Sequence, residues 1–405
     1  MIHRLEIENF YSIRETQVID LRIGAKVPDE EGRFAEIKDG SGERVPKTVA
    51  FFGANASGKS TVLKALAFLQ WFLVQSFSWP PDAPIPTFRF ADGNRESLRI
   101  KVSFDWLADM AVQKENDLKN TKYAQYSYEV KIGGTADRSM VVLSEELREQ
   151  PAIGKSRILF KREIDGGVQG GSGFSMRGLA HIVDKLRPSV SLAATIAQFA
   201  EHGPTMGLLK WASGIIPNIS NAKRILDEKD ATEYYANYPG TIKDLQKALR
   251  RVDIGIKEML LVNTPNGIQP FFVHGGLEQP IPLSLESEGT KQFVCIYPHL
   301  WHALHLGGIA VIDEMDSTIH PMLLPEILHW FYDSELNPHK AQLWFSGHSA
   351  SLLEELKKEE IFFTEKDNQG RTKIYGLKDI EGVRRVDNFY QKYLGGVYGA
   401  VPRIG

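Results

Sequence analysis

The stretch "KTVAFFGANASGKST", residues 47–61, constrains the fold more than any other part of this 405-residue chain. A short apolar run ends at Gly53. Gly58, Lys59 and Ser60 then complete the spacing G-x-x-x-x-G-K-[ST], and apolar residues at helical spacing follow from Ser60. That order predicts a buried strand, a tight turn and a helix. The glycines let backbone N–H groups turn inward, and the N-terminal end of the helix adds positive potential. Such a concavity suits a polyphosphate. Gly53, Asn55, Gly58, Lys59, Ser60 and Thr61 are the candidate contacts for ATP, with Lys59 neutralising phosphate charge and the Ser60 hydroxyl a ligand for Mg²⁺.

A phosphate loop of this kind needs an acid beside it. "GIAVIDEMD" is an apolar strand run that ends in Asp313 and Glu314. Asp313 is placed to hold Mg²⁺ through water, and Glu314 to polarise the attacking water as a general base. Lys59 and Asp313 stand 254 positions apart (313 − 59). A compact GTPase would not hold so much chain between them, whereas a split nucleotide-binding head with an inserted lobe would.

Three further features stand in order around the acids. In "LSLESEGTKQF", Ser287, Gly289 and Thr290 precede a helical run, which makes a second anion site, or simply a serine helix cap. In a head-to-tail ATP sandwich this site would close on the partner's terminal phosphate. "LWFSGHS" puts His348 at the end of an apolar strand, where an imidazole can hydrogen-bond that phosphate. Asp316, two residues past Glu314, is placed to act across a dimer interface, or else is a loop acid or cap.

Elsewhere the pattern is mixed. "IHRLEIENFYSI" reads as an early strand, and residues 23–47 as a surface loop or short hairpin. "LRIKVSFDW", "YAQYSYEVKI", "MVVLSEEL" and "SRILFKREI" predict an antiparallel β lobe, and "GGVQGGSGF" a flexible linker. Arg177 to Val252 is mostly helical in pattern. "KEMLLVNTPNGIQPFFVH" reads as a hairpin turning near Asn266-Gly267, and "EEIFFTEKDNQGRTKIYGL" as a terminal hairpin. The expected division is 1–175 for the N-terminal part of the head with its β lobe, 176–255 for a helical insertion, and 256–405 for the C-terminal part.

Together the phosphate loop, "SEGT", "VIDE" with its following Asp, and "SGHS" resemble the ABC-type ATPase superfamily. The resemblance is to the branch of the SMC proteins and RecF. Within it, "ESEGTKQF", "DEMDSTIHP", "GHSASLLE" and "NFYQKYLGGVYGAVPRI" resemble the AAA15 (AbiL-like, RloC-like) ATPases associated with bacterial anti-phage defence. The resemblance implies an α/β fold, an ABC-type P-loop head with an antiparallel β lobe and a helical insertion. It implies ATP hydrolysis in a homodimer closed by two ATP molecules, with room for a larger oligomer. It also implies a separately encoded effector, a nuclease of Toprim or RloB-like fold. The signature reads "SEGT" where transporters have "SGGQ". The glutamine that usually reports on the nucleotide has three candidates, Gln70, Gln75 and Gln125.

Composition limits the alternatives. The net charge of −3 argues against a histone-like polyanion binder, though not against a local basic groove. The resemblance implies a RecF-like DNA-repair ATPase as the second reading, with DNA as partner and Lys155, Arg157, Lys161 and Arg162 either lining a groove or lying on solvated strand faces. The lone Cys295 excludes an internal disulfide and fits a reducing, cytoplasmic setting. No apolar run is long enough for a membrane span. His299, His302 and His305 share roughly one helical face but lack partners for a metal, so an amphipathic packing helix is expected there.

Overall fold

In this computed structural model the described residues are 1–37, 42–90, 97–107, 123–134, 140–151, 154–219, 228–252, 255–265, 267–316, 319 and 323–401. Asn266 of the expected turn, residues 317–318 and 320–321 after Asp316, and 402–404 of the terminal phrase lie outside them.

The chain opens with β1 (Ile2–Glu8) and β2 (Gln17–Asp20), then the hairpin β3 (Phe34–Glu36) and β4 (Arg44–Pro46). The strand β5 (Thr48–Phe52) leads through the glycine loop into α1 (Lys59–Val74). Next come β6 (Leu98–Leu107), β7 (Tyr123–Gly134), β8 (Met140–Gln150), β9 (Arg157–Glu163) and β10 (Gly167–Gly170). The helical stretch holds α2 (Ala180–Val183), α3 (Leu192–Phe199), α4 (Gly203–Ser213), β11 (Ile215–Pro217), α5 (Glu228–Asn237) and α6 (Gly240–Val252). Then follow β12 (Ile256–Thr264), β13 (Gly267–His274), β14 (Ile281–Pro282), α7 (Glu288–Leu306), β15 (Ile309–Ile312) and α8 (Leu324–Tyr332). Last are β16 (Gln342–Ser346), β17 (Ile361–Lys366), β18 (Thr372–Gly376) and α9 (Phe389–Leu394).

Two large sheets organise these elements. One is antiparallel, in the order β10-β9-β8-β7-β6-β1-β2. The other runs β11-β15-β16-β5-β17-β18, parallel except for β18. β5 sits near its centre because every one of its residues is apolar or small and buried. Its side chains alternate between faces, as a strand's must. Val49 and Phe51 join a core shared with α1, α2–α4 and the antiparallel sheet, whereas Ala50 and Phe52 join a second core with α7 and α8. α1 is therefore enclosed on several sides, and it carries apolar residues on most of its circumference: Val62, Leu63, Leu66, Phe68, Leu69, Phe72 and Leu73 are all buried.

The expected α/β head with an antiparallel lobe is present. One expectation fails. "GGVQGGSGF" is not a free linker, because Gly167–Gly170 pairs as β10 with β9. Its glycines serve close approach. A Cβ on Gly171 would lie 2.0 Å from the carbonyl oxygen of Ile158. Within residues 176–255, β11 forms the edge of the parallel sheet beside β15, and α3 and α4 pack on α1.

Candidate functional site

The loop between β5 and α1 is held from behind. Gly53 has φ 150°, and a Cβ there would meet the carbonyl oxygen of Thr364 at 2.2 Å. Gly58 has φ 116°, and its Cβ would meet Thr372 Oγ1 at 2.4 Å. Glycine is thus required twice, by conformation and by space. The Ser57 hydroxyl lies 2.6 Å from Thr364 Oγ1, and Thr372 Oγ1 donates to the Ser57 carbonyl at 2.8 Å. The hairpin β17–β18 therefore backs the loop. A cleft of about 570 Å³ opens in front of it, lined among others by Ser12, Asn55, Lys59, Ser60, Glu314 and His348.

Within the cleft the two halves of the predicted site meet. The Lys59 ammonium donates to the carbonyls of Gly53 and Ala54 at 2.8 and 3.2 Å. Burial lowers its pKa below the ordinary lysine value, against the pull of Asp313, Asp316 and Glu314. The Ser60 hydroxyl donates to Asp313 Oδ1 at 3.0 Å. A serine hydroxyl from the first turn of α1 and a carboxylate from the end of β15 are hard oxygen donors, the set that suits Mg²⁺. Glu314 follows with φ 53°, an unusual backbone for a glutamate and one that recurs at functional sites. Its carboxylate stands 3.8 Å from His348 Nε2.

Two residues that sequence reasoning missed fix the acids in place. Ser346, fully buried at the end of β16, donates its hydroxyl to Asp313 Oδ1 at 2.5 Å and accepts the Glu314 N–H at 2.8 Å. One hydroxyl thus spans both acids. The buried Asn218, just past β11, accepts the Asp313 N–H at 2.7 Å and donates to the Asp313 carbonyl at 3.3 Å. The only sequence signal was position: each is a small polar residue at the end of an apolar strand. Gln70, Gln75 and Gln125 do not line the cleft among the described residues, and Asn218 is the side-chain amide that touches the acid strand.

Asp316 makes hydrogen bonds within its own chain. Its Oδ2 accepts the backbone N–H of His348 at 2.7 Å and that of Ser349 as well. It caps the turn that carries His348. Ser287 is the N-cap of α7 and accepts the Thr290 N–H at 3.1 Å. Ser287, Gly289 and Thr290 do not line the cleft with Lys59 among the described residues.

Arg157 pairs with Glu149 at 2.7 Å and Lys161 with Glu163 at 2.7 Å. Arg162 is buried, lies 3.6 Å from Glu145, and donates to the carbonyl of Val190 at 2.5 Å. Of the basic stretch, only Lys155 has no carboxylate partner among the described residues, so the stretch makes no groove of unneutralised charge. His299, His302 and His305 form no metal-binding cluster among the described residues, and Cys295 is buried and unbridged. No helix among the described residues is long and apolar enough to cross a membrane.

Solved structures similar to this chain include an SMC head domain from Thermotoga maritima, at TM-score 0.42 and 14% identity, covering 93% of this chain and 98% of that one. A head bound to the C-winged helix domain of ScpA gives TM-score 0.42, 14% identity, and 93% and 97% coverage. An SMC head with an extended coiled coil, bound to the C-terminal domain of ScpA derived from Pyrococcus furiosus, gives 0.40, 13%, and 93% and 96%. No curated protein matches the sequence. Residues 49–354 match the family described as "AAA domain, putative AbiEii toxin, Type IV TA system". That span runs from β5 through the turn after His348 and takes in the loop, the acids and the serine that joins them, so the chain belongs to this family of AAA-domain ATPases.

Proposed function

We propose that the protein is a Mg²⁺-dependent ATPase whose nucleotide cycle gates a homodimer, and that the dimer controls a separately encoded effector in anti-phage defence. The observation that carries this reading is the 3.0 Å contact from Ser60 to Asp313, which joins the phosphate loop to the acid strand across 253 positions of sequence. The loop N–H groups, Lys59 and the start of α1 would hold the phosphates of ATP. Ser60 and Asp313 would hold Mg²⁺, which supplies charge neutralisation at the phosphate oxygens when bound. Glu314, fixed through its N–H by Ser346, would take the proton of the attacking water, and His348 would hydrogen-bond the terminal phosphate.

The helix cap at Ser287 and the backbone of Gly289 and Thr290 would close on the nucleotide of the second copy. ATP bound only in the closed dimer would stabilise it by about 2.7 kcal/mol at a hundredfold excess over Kd. Hydrolysis removes that bias. The sequence resemblance and the family description both support the defence role, and the nuclease effector of Toprim or RloB-like type rests on the resemblance alone. The DNA-binding alternative is less well supported, since three of the four basic residues it draws on are paired with carboxylates.

Light scattering on the Glu314→Gln protein with its gene neighbours tests this. The expected result is a doubled mass with ATP and Mg²⁺, a monomer without them, and stoichiometric recovery of a neighbour-encoded nuclease. An unchanged mass in ATP would overturn the sandwich. Tight ATP-dependent duplex binding with no partner would favour the DNA-repair reading.

A further inference from the structure

Two side chains lining the cleft, Ser12 and Lys366, are used by none of the motifs, and only Lys366 carries a charge. Lys366 ends β17, is exposed, and faces the same space as Ser12, Lys59, Thr61, Glu314 and His348. Among the described residues no carboxylate pairs with it, whereas its neighbour Asp367 is taken by Arg371 at 2.7 Å.

The strand order says which end of the cleft it serves. β15 and β16 lie on one side of β5 and bring Asp313, Glu314 and His348, whereas β17 lies on the other side and brings Lys366. Lys366 is opposite Thr372 in the β17–β18 pairing. Thr372 Oγ1 lies 2.8 Å from Ser12 Oγ, which lies 3.4 Å from Thr61 Oγ1. Thr61 is one residue beyond Ser60, whose hydroxyl reaches Asp313. A polyphosphate with its terminal phosphate at Ser60, Asp313 and Glu314 therefore extends toward the β17 flank with its nucleoside end. The stem of Lys366 stands on the hairpin that Ser57 already bonds at 2.6 and 2.8 Å, so the ammonium has a fixed base.

We propose that Lys366 is a nucleotide-binding residue that pairs with the nucleoside-proximal phosphate, the α-phosphate. This rests on the ATP-site reading above. A lysine supplies a compact point charge for such a contact, and its hydrogen bond to a phosphate oxygen is charge-assisted. Because ATP and ADP share the α-phosphate, removing the charge weakens both alike.

The test is calorimetric titration of MgATP and of MgADP into the wild type, Lys366→Ala and Lys366→Arg at one ionic strength. The expected result is a loss of about tenfold in affinity for both nucleotides in Lys366→Ala, about 1.4 kcal/mol each, with most of it restored in Lys366→Arg. A loss for ATP alone would move Lys366 to the terminal phosphate and overturn the assignment. Unchanged affinity for both nucleotides would also overturn it. A wild type that binds neither nucleotide would sink the ATP-site reading itself, and this proposal with it.

Discussion

The Tyr235 hydroxyl of α5 donates to the main-chain carbonyl of Val294 in α7 at 2.7 Å. Val294 is four residues before Pro298, which lies inside α7 and has no N–H to offer that carbonyl. The tyrosine supplies the bond the proline withholds. Burial, with lesser contributions from neighbouring ionisable groups, raises its phenol pKa well above the ordinary value, so the proton stays on. A helix of the middle segment is thereby tied to the helix that Ser287 starts.

Tyr235→Phe should leave a buried carbonyl unpaired and cost about 1–3 kcal/mol. Urea unfolding should show a lower midpoint with an unchanged slope. Pro298→Ala restores a main-chain donor, so in that background the same change should cost far less. Equal costs in both backgrounds would show that the hydroxyl does not substitute for the missing N–H.

Ser346→Ala should lower the turnover rate more than it weakens nucleotide binding. The hydroxyl holds Asp313 and the Glu314 backbone, not the loop. A drop in kcat of about tenfold or more is expected, together with a raised Mg²⁺ requirement, because Asp313 loses one of its two serine contacts. An intact kcat with a raised Kd for ATP would contradict this role.

Gly58→Ala should abolish nucleotide binding in a protein that still folds. The new Cβ would meet Thr372 Oγ1 2.4 Å away at a φ of 116°. The backbone strain alone is about 1–3 kcal/mol. Thr372→Gly in the same chain clears the space but leaves the φ penalty, so it should restore binding only in part. Full ATP affinity in the single variant would rule out the close approach.

His299 should make stability fall in acid. Burial is the main cause that pushes its pKa down to about 4, helped by His302 and opposed by a bond to the Pro217 carbonyl. Its Nδ1 is buried and has no hydrogen-bond partner, so a second ring proton would point at nothing. The unfolded chain protonates this residue below about 6.5, and the folded chain only below about 4. Stability is therefore full above the higher value and declines as pH falls to the lower one. The upper limit of that loss is about 3 kcal/mol, reduced by the ring's partial exposure. His299→Gln should flatten the urea midpoint between pH 6.5 and 4.5; an unaltered slope would remove His299 as the cause.

Some of this molecule was readable in advance. The loop residues and Asp313-Glu314 announce themselves because backbone geometry and phosphate chemistry leave few residue choices. The hairpin β17–β18 and the four long strands of the lobe followed from alternation. What alternation does not carry is partnership. Asn218 is one asparagine among many until β11 is laid beside β15. Ser346 is one serine at the end of an apolar run, yet its hydroxyl joins both acids. Arg162 read as a surface or groove cation, and only the fold shows it buried near Glu145 and bonded to the carbonyl of Val190. Gly167–Gly170 looked like slack chain because glycine records permission to approach, not the strand approached.

The backing of the loop has a consequence for how the protein is made. Ser57 waits for Thr364 and Thr372, Ser60 waits for Asp313, and the Ala54 N–H is received by the Ala400 carbonyl at 3.0 Å. A ribosome exposes the loop first and every one of these partners late. During most of synthesis the nascent chain carries the phosphate-loop letters without the pocket they imply, and it acquires the pocket only when its C-terminal strands emerge.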